Sequence, residues 1–196
     1  MEEQLRHASL FGQAWKVKEL LENPKINVNS EGGKWRMKGK TPLLYACFCG
    51  HYEVAKLLVN DKRVDLNLEN RWGEAPLYVA CLTGQIEILK LLLKKQSLDI
   101  NKPDHNGFTP LIYASYFGNL EVVRWLLATR PEIDISITNS SGKSAINFAK
   151  GEERIEVVKL LDEFQKDPKG TRVKLRDELG LSGKNFFFFF FFFFFF

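Results

Sequence analysis

Residues 39–59 read GKTPLLYACFCGHYEVAKLLV, and residues 107–127 read GFTPLIYASYFGNLEVVRWLL. Laid on itself at a shift of 34, the chain repeats this pattern. Gly39, Gly73 and Gly107 fall in register, and Gly142 follows one residue late. Thr41-Pro42, Ala75-Pro76 and Thr109-Pro110 align, with Ser144-Ala145 in the last copy. So do Ala46, Ala80, Ala114 and Ala149, then the glycines at 50, 84 and 118. So many matches at one period identify a true internal repeat.

The local chemistry of each copy is the same. Thr followed by Pro begins a helix, because Pro presets φ and lacks an N–H that the first turn leaves orphaned. The glycine at 50, 84 or 118 can take the left-handed conformation that ends it. Val54, Ala55, Leu57 and Leu58, and likewise Ile88, Leu89, Leu91 and Leu92, then mark one face of a second helix. A polar stretch rich in Asn, Asp and Gly follows, long enough for a β-hairpin-like turn before the next copy.

These residues resemble the ankyrin repeat, with its Gly-x-Thr-Pro-Leu-His start, Ala-rich first helix, Gly-His turn and Val-Val-x-Leu-Leu second helix. The resemblance covers about five copies over 3–164. It implies an all-α fold, an ankyrin-repeat solenoid of stacked helix-turn-helix units with projecting β-hairpin loops. An N-terminal cap spans 3–29, repeats span about 39–67, 73–101 and 107–136, and a C-terminal cap spans 142–164. The first copy keeps Ala8, Gly12, Leu20, Leu21 and Asn29 without the Thr-Pro start, and the last has Glu153 where the turn glycine belongs. Both suit water-facing ends. The histidine of the family motif is replaced by Leu44, Tyr78, Ile112 and Asn147, so stacking is expected to lean on apolar contact.

By the same resemblance, a partner lies on a concave surface made by the hairpin tips and the exposed edge of each first helix. Here those positions are Met37, Lys38, Lys40, Phe48 and Cys49, then Arg71, Trp72, Glu74, Leu82 and Thr83. His105, Asn106, Phe108, Tyr116 and Phe117 follow, then Ser140, Ser141 and Lys143, with Trp35 on a loop about four residues longer than its counterparts. Aromatics edged by Arg have the profile of an interface hot spot. The candidate contacts are Trp35, Met37, Phe48, Arg71, Trp72, Leu82, Phe108, Tyr116 and Phe117. Of these, Trp72 and Phe108 are expected to face a partner, and Phe48 and Phe117 are the readiest to tuck between helices.

Catalytic signals are weak. His51 sits in the turn, His105 at a hairpin tip, and neither has a nucleophile or acid arranged beside it. Cys47, Cys49 and Cys81 suggest a metal until Cys47 and Cys81 are seen to share one small buried repeat position. No phosphate loop or dinucleotide fingerprint occurs. A non-enzymatic protein without cofactor or metal is expected.

The chain has 196 residues and a net charge of +4, of which +3 falls in 165–185, so the body is nearly neutral and ill suited to nucleic acid. The N-terminus lacks the pattern of a secretory signal, and three cysteines make no paired framework, so cytosol or nucleus is the expected compartment. Capped ends predict a monomer. In 165–185, Asp167-Pro168 and Gly170 are expected to break the preceding helix before a short helix, the segment being solvated or loosely docked rather than an added cap. Residues 186–196 are all Phe. As a helix they would span roughly 16 Å against about 30 Å of hydrocarbon, so stable membrane insertion is not expected. An unbroken run of T encodes only Phe in any frame, so the run is read as a translation artefact from read-through into T-rich sequence. The expected function is a protein-binding scaffold or adaptor. The alternative is the targeting part of a larger protein whose catalytic or effector domain lies beyond residue 185.

Overall fold

The computed structural model describes residues 1–32 and 39–182. Five helix pairs occur in order: α1 (Glu2–Leu10) with α2 (Ala14–Leu21), α3 (Pro42–Cys49) with α4 (Tyr52–Asn60), α5 (Pro76–Thr83) with α6 (Ile86–Leu93), α7 (Pro110–Phe117) with α8 (Leu120–Thr129), and α9 (Ala145–Gly151) with α10 (Ile155–Lys166). A final helix, α11, runs Pro168–Glu178. First helices pack on first helices, α1 through α9, while α2, α4, α6 and α8 form a parallel outer layer. This is the helical solenoid that the period of 34 predicts.

The repeat residues do the work their chemistry implies. Thr41 and Thr109 cap α3 and α7, their hydroxyls accepting from the N–H groups of Leu44 (3.3 Å) and Ile112 (3.2 Å). Ala46, Ala80, Ala114 and Ala149 are fully buried where first helices meet, and side chains this small let the backbones approach. Leu44, Tyr78 and Ile112 are buried core at the family's histidine position. Tyr78 retains a polar tie, its hydroxyl lying 3.4 Å from Asp104 in the next loop.

The projecting loops are short hairpin-like turns, closed where the N–H of Asn70, Asp104 and Asn139 donates to the carbonyls of Glu74, Phe108 and Lys143. Among the described residues they are tight turns with only isolated bridges, at Gly32–Lys40 and Thr138–Ser144. Side-chain oxygens take further backbone donors inside each turn and keep it short. Asn70 Oδ1 accepts from the N–H of Trp72 and of Glu74, Asp104 Oδ1 from Asn106 and Phe108, and Asn139 Oδ1 from Ser141 and Lys143. Each turn also grips its neighbour: the His105 N–H donates to the Trp72 carbonyl (3.1 Å) and the Ser140 N–H to that of Asn106 (2.9 Å).

Two further ladders join the repeats. The Asn29, Asn67 and Asn101 amides donate to the carbonyls of Arg63, Ser97 and Glu132, and their oxygens accept from the N–H of Asp65, Asp99 and Asp134. Cations close the C-termini of preceding outer helices, where carbonyls are orphaned and the helix dipole is negative. Arg63 reaches the Leu21 and Asn23 carbonyls, Arg130 those of Lys95 and Leu98, and Arg172 that of Leu127.

Arg172 belongs to α11, and here the structure departs from a loosely docked extension. Asp167 ends α10 and caps α11, accepting from the Gly170 N–H at 2.9 Å, so Gly170 lies inside the helix and does not break the chain. Thr171 and Leu175 are buried against α8 and α10, and Leu179 packs beside them. Arg124 pairs with Glu178 and Lys174 with Glu163. The apolar stripe at 171, 175 and 179 is narrow and begins with a Thr, so the sequence understates it.

Candidate functional site

The free face of the first helices follows i, i+3, i+4 spacing, the geometry that puts residues side by side on a helix. It presents His7 and Leu10 on α1 with Phe11 just after it, then Phe48 and Cys49 on α3, where Tyr45 one turn before them is buried. Leu82 and Thr83 follow on α5, beyond buried Val79, and Tyr113, Tyr116 and Phe117 on α7. Helices α3, α5 and α7 contain no Asp, Glu, Lys, Arg or His. The face is therefore apolar and aromatic, and the turns beside it carry the charge.

Exposure divides the predicted contacts. Phe48 and Phe117 are each 44 % exposed although they stand at the C-terminal edge of buried helices. They do not tuck between helices, because their register points past the layer where Ala46 and Ala114 pack. Arg71 is exposed, whereas Trp72, Leu82, Phe108 and Tyr116 are half-buried. Phe108 lies against Tyr113 and Phe148, with ring centroids 5.1 Å away in both cases. Trp35 and Met37 lie outside the described residues.

The structure adds residues that the sequence argument passed over. Tyr113 meets Tyr78 at a tilt (4.5 Å) and Phe117 (5.8 Å), and Tyr116 bridges Phe117 (4.9 Å) and Phe148 (5.7 Å). Six rings thus join α5, α7, α9 and the turn at Phe108 in one connected cluster. Tyr113 was legible at four residues before Phe117, and Phe148 occupies the same register in the next copy. Phe11, exposed and 4.5 Å from the His7 ring, extends the face to α1 and was legible as the residue before Gly12.

Cations at the turns sit on rings. The Lys40 ammonium is 3.6 Å from the Phe48 centroid, the Arg71 guanidinium 4.4 Å from Trp72, and the Lys143 ammonium 5.8 Å from Phe148. Lys40 is only 3 % exposed, and burial holds its pKa below the ordinary lysine value against the opposing pull of Glu74. Between two turns lies an open pocket of about 360 Å³, walled by Phe108 and Phe148 and rimmed by Asn106, Ser140 and Lys143.

The ionisable residues that could suggest chemistry are occupied. His51 Nε2 lies 3.0 Å from the Leu10 carbonyl, holding the first turn to the second repeat. Asn119 and Arg154 repeat that contact on the Cys81 and Tyr116 carbonyls. Burial pushes the Cys47 and Cys81 thiols well up, away from the reactive thiolate. Both occupy the register of Ser9 and Ser115, which are buried as well. Among the described residues, no three His, Cys, Asp or Glu side chains are grouped to hold a metal ion, and no helix is long and apolar enough to cross a membrane.

A helix pair per 34 residues, a left-handed glycine between the helices and a gripping turn after them form one structural unit repeated along the chain. The family model of ankyrin repeats matches in three overlapping copies, at residues 5–104, 56–139 and 96–173. The chain belongs to the ankyrin-repeat family. The last match ends inside α11, one residue past Arg172. No curated protein matches the chain. Ankyrin repeats are generally protein–protein interaction modules and typically non-catalytic.

Proposed function

We propose that this ankyrin-repeat protein is a scaffold or adaptor that holds a protein partner on the concave side of the stack, along the first-helix face and its turns. The observation that carries the reading is the pair Phe48 and Phe117, large rings left 44 % exposed on helices without a charged residue. Each leaves roughly 90 Å² of ring open, and covering it contributes about 2 kcal/mol at ~25 cal/mol per Å². Half-buried Leu82 and Tyr116 stand between and beside them. Anchors of this kind, edged by Arg, dominate binding energies. The protein acts as a monomer in cytosol or nucleus, on the grounds of its unpaired cysteines and its capped ends.

Affinity capture from lysate with the full chain, compared with Phe48→Ala/Phe117→Ala, tests the surface. Both side chains are open to solvent, so the variant is expected to fold. A protein retained by the parent and lost by the variant supports the assignment. Equal recovery by both refutes it.

A further inference from the structure

We propose that the segment held by this face is acidic as well as apolar: a stretch of a partner protein in which Asp or Glu flanks a bulky apolar side chain. This rests on the protein-binding reading above and adds the chemistry of the partner.

The argument is one of charge complementarity. The first-helix face supplies no charge, so whatever charge a partner meets comes from the turns. There the exposed cations Arg71 and Lys143 form no ion pair among the described residues, each resting on a ring that leaves its donors open. The carboxylates beside them are engaged. Glu74 accepts from the Asn70 amide at 2.6 Å, Asp104 is buried and accepts from two backbone N–H groups, and Glu69 pairs with Lys102 at 3.0 Å. These three carboxylates are thus already engaged, whereas Arg71 and Lys143 face solvent with their donors open.

The spacing is also specified. The turns of Arg71 and Lys143 are separated by one intervening turn, and adjacent turns are bonded through His105 to Trp72 and Ser140 to Asn106. Two steps of packed helices amount to roughly 16–20 Å, which an extended chain covers in about six residues. Lys143 lines the pocket walled by Phe108 and Phe148, so a carboxylate held there places a neighbouring apolar side chain against that pair of touching rings. Two isolated cations do not form the continuous basic groove that tracks a nucleic-acid backbone, so the same chemistry favours a peptide.

The test is selection of a displayed random 12-residue peptide library on the full chain, followed by fluorescence anisotropy with the best synthetic peptide. Two variants accompany it: Arg71→Glu/Lys143→Glu, which breaks no ion pair, and Phe48→Ala/Phe117→Ala. Circular dichroism confirms that each folds. The expected result is enrichment of Asp or Glu about six residues apart with Phe, Leu or Trp between. The peptide should lose at least tenfold in affinity on charge reversal and weaken with added NaCl. Selected peptides without charge preference that still require Phe48 and Phe117 would overturn the acidic partner while leaving the protein-binding face intact. Peptides bound equally by both variants, or no enrichment at all, would overturn both. Displacement of the peptide by an equimolar 12-nucleotide oligo-dT would overturn it in favour of single-stranded nucleic acid.

Discussion

Replacing Arg130 by Met removes a guanidinium whose side chain is 6 % exposed. It donates to the carbonyls of Lys95 (2.9 Å) and Leu98 (3.2 Å), with a longer contact to Leu93 (3.4 Å), and pairs with Glu132 at the rim. Hydrogen bonds from a charged donor are worth about 1.5–3 kcal/mol each, and carbonyls left unpaired in a buried place forfeit their share in full. Part of the gain offsets desolvation of the cation itself. The net loss expected is about 3 kcal/mol, or a fall in Tm of roughly 6–12 °C for a chain of this size. Arg63 is the internal control. It makes the same kind of contact, to the Leu21 and Asn23 carbonyls at 2.9 Å, but its side chain is 33 % exposed and water can replace it. Arg63→Met should cost about 1 kcal/mol or less. Arg130→Lys should fall between, because an ammonium cannot span two carbonyls as the planar fork does. Thermal and urea unfolding at pH 7 measure the loss, and amide exchange should locate it in α6 and α8. An Arg130→Met variant within about 0.5 kcal/mol of the parent, or an Arg63→Met variant equally damaged, would sink the argument.

Glu153 is in left-handed conformation, φ 56°, the one non-glycine so placed among the described residues, in the register of Gly118. Since that conformation costs a non-glycine residue about 1 kcal/mol, Glu153→Gly should raise Tm by about 2–4 °C; a lower Tm in calorimetry would show that Glu153 makes a compensating contact. Ala75 begins α5 without a side-chain cap, in the buried slot that Thr41 and Thr109 fill. Ala75→Thr should add about 1 kcal/mol, and urea midpoints that fail to rise would show that this slot is shaped differently. The Arg63 hydrogen bond holds the Asp61 carboxyl below the ordinary aspartate value, with burial opposing it. Its contribution is complete above the unfolded pKa near 4 and is lost as pH falls through the lower folded value. The Tm difference between the parent and Asp61→Asn should therefore be constant above about pH 5 and shrink towards zero under acid; a gap that widens on acidification contradicts the sign.

The positions legible in the sequence are those whose effect is local. Pro42 sets a φ, Thr41 caps the helix it precedes, Gly50 ends it, and Ala46 marks where two helices touch, so register alone gave the helix pairs. The ties between repeats were silent because their acceptors are backbone carbonyls. Nothing about Arg130 in the sequence points to the carbonyl of Lys95, 35 residues away. Asn70, Asp104 and Asn139 looked like ordinary turn residues, yet their oxygens take further backbone donors inside each turn and keep it short. At the face, apolar character was ambiguous: Phe48 and Phe117 were candidate contacts that could also have been core, and helical register at the C-terminal edge turns them outward. Phe108 looks like a loop aromatic, but Tyr113 and Phe148 hold it.

The silent ties bear directly on binding. A face made of loops would lose much of its contact energy to ordering on association. Here the turn that carries Arg71 is fixed from within by Asn70 and from beside by the His105 N–H, and the turn that carries Lys143 is fixed by Asn139 and by the bond from Ser140 to Asn106. Phe48 and Phe117 project from helices whose N-termini are capped by Thr41 and Thr109 and whose inner sides are sealed by alanine. The outer-helix cations keep successive units in step, so the spacing between Arg71 and Lys143 is a property of the stack and not of either turn. A ladder that contributes stability between repeats is therefore also what presents the rim to a partner already in place. Loosening a tie such as Arg130, far from the face, should weaken binding through the spacing before it unfolds the protein.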